Sequence, residues 1–221
     1  LRKKEAAGGA ENSFLMTIVL NTNEVRVLGA LIEKRMTTPD GYPLTLNSLV
    51  TACNQSSNRH PIVDYDQFIV NDALINTRTQ GLSALISKSG ARAHKFGEKL
   101  CEALHLSAKE SAIMAELMLR GPQTPGEIRQ RASRMAELPD LNEVERLLDG
   151  LANRSTPLVV QLPRQPGKRE ARYAQLLGGE IDMAALENAP EPSTPRERGL
   201  AERVAVLEAQ MAEVLAKLEG L

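Results

Sequence analysis

The side chains in this chain best suited to binding chemistry are basic, and they come in two bursts. Ser89 to Phe96 reads SGARAHKF and Pro166 to Tyr173 reads PGKREARY, each a glycine turn followed by spaced basic residues that end at an aromatic. The first burst and its flanks present Lys88, Arg92, Lys95 and Lys99 against Glu98. The second presents Arg164, Lys168, Arg169 and Arg172 against Glu170. Basic side chains along a hairpin can follow a nucleic-acid backbone, neutralise phosphates and release counterions. The competing reading is a solvated hairpin whose Lys and Arg keep its edge from pairing with other chains. A third stretch, TACNQSSNRHP from Thr51 to Pro61, gathers Asn54, Gln55, Asn58 and Arg59. Their amide and guanidinium groups suit hydrogen bonding to base edges. The same residues also suit a helix end and a turn, with Asn54 ending the helix, and that structural reading is the stronger of the two.

Catalytic and metal chemistry find less support. His60, His94 and His105 have no ligand spacing, and Cys53 and Cys101 are too few and too far apart to complete a zinc site. Cys53 with His60 could be read as a nucleophile pair, but a cysteine on a helical face more often belongs to a core. The chain has neither a phosphate-binding loop nor a dinucleotide fingerprint. These observations predict a binding protein that is not an enzyme and needs no metal or cofactor.

The elements that must position the basic bursts occur twice. NTNEVRVLGALIEKR from Asn21 returns as SAKESAIMAELMLR from Ser107, 86 positions later. Asn21 with Glu24, and Ser107 with Glu110, have the spacing of a capping box that opens a helix. Val25, Leu28, Leu31 and Ile32 predict one apolar face for the first helix; Met114, Leu117 and Met118 answer them. A short second helix follows in each copy, from Thr45 with Leu46, Leu49 and Val50 inward, and from Thr124 with Pro125 at its first position and Ile128 as anchor. Third helices are predicted from Asp66 to Gln80 on Phe68, Val70 and Leu74, and from Leu141 to Asn153 on Val144, Leu147, Leu148 and Leu151. Thr77 is polar where the second copy is apolar. Each third helix feeds an extended run, Leu82 to Ile86 or Leu158 to Leu162, that turns at glycine and returns, which reads as a β-hairpin.

Helix, helix, helix, hairpin is the order of a winged helix-turn-helix. The predicted fold is therefore mainly α with small β-hairpin wings, an α+β class, as two tandem winged helix-turn-helix domains at 20–105 and 106–177. A period this long points to tandem domains and not to a solenoid. A disordered leader is expected over 1–19, and Met16 is a possible natural start. A Pro-rich linker is expected over 178–199. A helix over 200–221 carries Leu200, Val204, Leu207, Met211, Val214, Leu218 and Leu221 at alternating spacings of 4 and 3, a coiled-coil-like seam that predicts a homodimer.

Charge divides along the same boundaries. Residues 1–105 and 106–177 are each at +2 and residues 178–221 are at −5, so the body is less basic than most nucleic-acid-binding domains. The second copy's third helix is acidic, with Asp140, Glu143, Glu145 and Asp149 against Arg146 and Arg154, and the first copy's has Asp66 and Asp72 against Arg78. Acidic third helices point to a protein partner. Arg129, Arg131 and Arg134 either touch phosphate or pair with the acidic third helix, and pairing is the favoured reading. Two cysteines imply no disulfide framework, and no apolar run is long enough to span a bilayer, so a cytoplasmic location with no membrane contact is expected.

The stretches NTNEVRVLGALIEKR, TTPDGYPLTLNSLVTACNQSSNRHP, LRGPQTPGEIRQRASRM and PGKREARY resemble the YceH-like family of bacterial proteins, which has no established biochemical function. With the spacing and the heptad tail, the resemblance covers nearly the whole chain from about Leu20. It implies two winged-helix domains in a cytoplasmic protein. Two functions fit the residues: DNA binding, as a transcriptional regulator, through the hairpins and the Asn54 to Arg59 loop; or a protein-interaction scaffold, with the tandem winged-helix architecture of chromosome-segregation accessory proteins.

Overall fold

The computed structural model describes residues 18–86, 93–164 and 170–179. Most of the expected leader, together with Lys88, Arg92, Lys168, Arg169, nearly all of the linker and the heptad seam from Leu200 to Leu221, lies outside the described residues.

Two long helices form the centre. Helix α1 (Thr22–Thr37) opens on Asn21 and α5 (Ala108–Arg120) opens on Ser107, and both N-termini carry the complete capping box. Each satisfies two backbone N–H groups that have no partner within the helix. Between and after them stand α2 (Leu46–Cys53), α3 (Gln67–Thr79), a single turn α4 (Leu100–Ala103), α6 (Pro125–Ala132) and α7 (Leu141–Ala152). Thr45, Asp66, Thr124 and Asp140 cap the four helices they precede, through side chains that accept backbone N–H groups.

The strands make two small antiparallel sheets. In the first half, β1 (Leu44–Thr45), β2 (Ser83–Leu85) and β3 (Lys95–Glu98) pair in the order β1-β3-β2, with Phe96 opposite both Leu44 and Leu85. In the second, β4 (Val159–Gln161) pairs with β5 (Tyr173–Gln175), Gln161 opposite Tyr173. Gln123 stands where β1 stands in the first half and exchanges two backbone hydrogen bonds with Tyr173. The architecture is thus α+β, with seven α-helices and two short sheets among the described residues.

The predicted single apolar face of α1 is corrected by the packing. Residues 24–33 of α1 are all buried, and so are 111–120 of α5. Val25, Leu28 and Ile32 enter a core shared with Met114, Leu117 and Met118 of α5, whereas Val27, Ala30 and Leu31 enter a second core with Leu49, Leu74 and Phe96. Leu119 of α5 crosses into that second core. A helix packed on two opposite sides needs apolar residues around most of its circumference. Gly29 permits the close approach of the pair: a Cβ there would stand 3.1 Å from Met118 Cβ and 3.2 Å from the Leu119 side chain.

Two further expectations about α3 change. Phe68 is 79 % exposed and does not anchor the helix, whose buried residues are Val70, Ala73, Leu74 and Thr77. Thr77 is fully buried, but its hydroxyl donates to the Ala73 carbonyl at 2.8 Å and pairs with Ser83 Oγ at 2.8 Å. A buried hydroxyl with partners costs little, which is why Thr is tolerated where the second half has Leu151.

Candidate nucleic-acid interface

Burying α1 on all sides puts Arg26 and Glu33 inside, and the segment after α2 supplies their partners. Arg26 Nη2 donates to the Pro61 carbonyl at 2.6 Å. Arg59 is fully buried; its Nη1 donates to Glu33 Oε1 at 3.0 Å and its Nε to the Ala52 carbonyl at 3.0 Å. Its remaining N–H groups reach the Asn58 and Ala52 carbonyls, Gln55 Oε1 and Glu33 Oε2. Asn54 ends α2 and grips the Tyr65 backbone at both its N–H and its carbonyl. Asn58 sits at a φ of 57°, which Asn tolerates better than most residues, and its Oδ1 accepts from Arg120 Nη2 at 2.7 Å.

These contacts favour the structural reading of Asn54, Gln55, Asn58 and Arg59 over the base-reading one. Arg59 has no N–H left for a ligand, Asn54 holds the Tyr65 backbone, and the amide oxygens of Gln55 and Asn58 accept from Arg59 and Arg120. The sequence does carry a signal for this: Arg26 and Glu33 lie seven positions apart, on one stripe of a helix otherwise rich in apolar residues.

The basic cluster of the second half is also drawn inward. Arg134 reaches Glu33 Oε1 and, at 3.2 Å, Glu116 Oε2. Arg131 bonds Gln123 Oε1 at 2.6 Å and pairs with Glu127, while Arg129 binds the Pro139 carbonyl. The cluster is paired, as favoured, but its partners are backbone and the acids of α1, α5 and α6, not those of α7. Glu33 thus receives one arginine from each half, both from the segment between second and third helix. Burial pushes its carboxyl up, but the hydrogen bond and charge of Arg59, with the charges of Arg134 and Lys34, hold it below the ordinary carboxylate range. Glu116 Oε1 and Arg120 Nε lie 2.8 Å apart as an ion pair whose angle misses that of a hydrogen bond.

What remains outward differs between the halves. On α3, Gln67, Asn71, Ile75 and Arg78 are exposed along one stripe, with Phe68 and Asp72 beside them. Gln67 Nε2 donates to Asn47 Oδ1 of α2 at 2.8 Å, so an exposed amide pair bridges the second and third helices. On α7, Asp140 is spent on the cap and Glu143 on Lys109 at 2.6 Å, which leaves Glu145, Arg146 and Asp149 facing out. Lys95 and Arg164, on the described flanks of the two hairpins, are exposed, and Arg172 is partly buried. Strand β2 packs on α3, which sets the first hairpin beside that helix.

Neither thiol is placed for chemistry. Cys53 and Cys101 are buried, and burial pushes each up to about 12. A cavity of about 380 Å³ between the ends of α1, α4 and α5 is lined by Arg35, Cys101 and Ser111 among others. Among the described residues, no cluster of three or more His, Cys, Asp or Glu could hold a metal ion, and no helix is long and apolar enough to cross a membrane.

The class so defined is a helix-rich α+β protein in which two similar successions of helices and strands meet across a buried polar latch. Residues 20–168 match the family model described as a protein of unknown function, DUF480, and the chain belongs to that family. It is 49 % identical over 199 residues to a UPF0502 protein of Geobacter sulfurreducens, covering 89 % of this chain and 90 % of that one. It is 48 % identical over 175 residues to a UPF0502 protein of Opitutus terrae, covering 79 % and 76 %. It is 43 % identical over 212 residues to the UPF0502 protein YceH of Salmonella newport, covering 93 % and 97 %.

Proposed function

We propose that this chain is a DNA-binding protein of two winged-helix domains whose basic hairpins grip the phosphate backbone. One observation carries the reading. The interior absorbs Arg26, Arg59 and Arg120 and draws on Arg131 and Arg134, so the basic side chains left for a partner concentrate on the hairpins. Lys95 and Arg164 stand exposed at their described flanks, and the sequence places Lys88, Arg92, Lys168 and Arg169 between the paired strands. Phosphate contact by such residues is independent of sequence and sensitive to salt, the observed slope rising with the number of phosphates neutralised. The heptad spacing from Leu200 to Leu221 supports a homodimer, which would present two such bodies to one duplex.

Fluorescence anisotropy with a random duplex at low and moderate salt tests the proposal. Binding should weaken steeply with salt, and Ala at Arg164, Lys168 and Arg169 should lower both affinity and salt slope. No binding at low salt, or binding indifferent to these substitutions and to their counterparts at Lys88, Arg92 and Lys95, refutes it. Light scattering with and without residues 200–221 tests the dimer: an unchanged mass would refute the seam.

A second reading rests on the outward acids of α7. Glu145 and Asp149 would repel phosphate, and they suit a basic protein surface instead. Charge reversal of both should abolish capture of such a partner and leave DNA binding intact.

A further inference from the structure

We infer that the outward stripe of α3 is a base-reading surface for the major groove of duplex DNA, and that α7 has no such role. This rests on the DNA-binding reading above and adds to it the residues that discriminate sequence. In helix-turn-helix proteins the third element reaches base edges from its N-terminal part, with the preceding helix lying across the backbone. Adenine presents an acceptor and a donor in the major groove, which Asn or Gln can match with one amide; guanine presents two acceptors, which Arg can match. Gln67, Asn71 and Arg78 supply these groups from one exposed stripe of α3. Among the described residues, the side chains of Asn71 and Arg78 make no hydrogen bond or ion pair, so binding a base breaks nothing.

The second observation is the amide pair. Gln67 Nε2 donates to Asn47 Oδ1, which leaves Gln67 its Oε1 acceptor and one N–H, a donor and acceptor held side by side in the pattern adenine requires. A partner on the preceding helix cuts the freedom Gln67 must lose on binding, so Asn47 acts as a positioning residue. The site also adjoins the proposed phosphate grip, because β2 packs on α3 and leads into the first hairpin. Exposed Phe68 and Ile75 supply the apolar surface that meets a thymine methyl. The positions of α7 that answer Gln67, Asn71, Ile75 and Arg78 are Leu141, Glu145, Asp149 and Ala152, where two acids stand at the centre and would face phosphate.

The test is selection of duplexes from a random library with the full-length chain, followed by anisotropy on the selected and random duplexes. One sequence should be enriched. Ala at Asn71, Gln67 or Arg78 should each reduce preference for that site over random duplex by roughly 5- to 150-fold, while random-duplex affinity stays within about twofold. These residues are exposed, so folding is not at stake. Asn47→Ala should reduce the same preference by a smaller factor, and Ala at Glu145 or Asp149 should leave it unchanged. Salt-sensitive binding with no enriched sequence, or an enriched site indifferent to the α3 substitutions, overturns this inference and leaves the phosphate grip standing. Absence of duplex binding at low salt, with a protein retained through Phe68 instead, overturns both.

Discussion

Helices α3 and α7 occupy the same place in their halves and obey the same inward pattern, yet their outward faces differ at matching positions. Val70, Leu74 and Thr77 answer Val144, Leu148 and Leu151 against the cores. Outward, α3 sets Gln67, Asn71 and Ile75 where α7 sets Leu141, Glu145 and Asp149, and Phe68 stands bare where α7 has Asn142. Inward positions are held by packing, which tolerates little change in volume. Outward positions answer only to what they meet, so divergence there is the part of the duplication that speaks of function. The interior has its own asymmetry: each half carries a buried ion pair, Glu33 with Arg59 and Glu116 with Arg120, but Arg134 of the second half reaches both carboxylates.

The sharpest way to break that comparison is to remove its polar centre. Glu33→Ala leaves Arg59 buried without its counter-charge and should cost about 3–5 kcal/mol in urea unfolding. Glu127→Ala, which removes a partly exposed partner of Arg131 and the capping-box acceptor of the Thr124 N–H, should cost only about 1 kcal/mol. Equal effects would show that the latch is no more than a surface feature.

The same group predicts the acid behaviour. Glu33 has a folded-state pKa below the 4.5 of an ordinary carboxyl, as does Glu110 beside Ser107 and Arg154. A depressed carboxyl contributes stability that is fully present above its unfolded value and is lost as pH falls through its folded value. Urea midpoints should therefore hold from neutrality to about pH 5 and then fall, with a shallower fall in Glu33→Gln. An identical fall in that variant would exclude Glu33 as a source.

Gly29→Ala sharpens the comparison at the contact between the halves. Its methyl would press on Met118 and Leu119 and should cost about 1–3 kcal/mol, in one transition, because both halves share the core it disturbs. Two separated transitions in calorimetry would contradict a shared core. A smaller effect is expected at Thr77→Val, about 1 kcal/mol, since Ser83 Oγ loses its partner; adding Ser83→Ala should recover part of the loss. Last, alkylation of Cys53 and Cys101 near pH 8 should proceed only on unfolding, because each thiol is buried and held at about 12.

The capping boxes, the helix order, the hairpin strands and the coarse α+β class were legible because each rests on local rules: a cap and its Glu are three residues apart, and a strand reveals itself by its turn. The hairpin basics were legible as charge. For Asn54 to Arg59 the helix end and turn were legible, but the buried partner was not, because the same amide and guanidinium groups can serve a base edge or a carboxylate. Which one they meet depends on Glu33, separated from Arg59 by 26 residues in sequence. Phe68 was misread for a similar reason: helical periodicity identifies a face but not which of two adjacent stripes the core will cover.

The sequence by itself determined the duplicated succession of helices and strands, the caps that start them and the family to which the chain belongs, since all of these are written in short-range spacing. Tertiary structure alone decided that α1 and α5 are enclosed on every side, that Glu33 gathers an arginine from each half, and that Gln67, Asn71 and Arg78 are left facing out. The reason is physical. Burial is a property of what packs against a residue, and a charge placed inside must find its partner wherever the fold brings one.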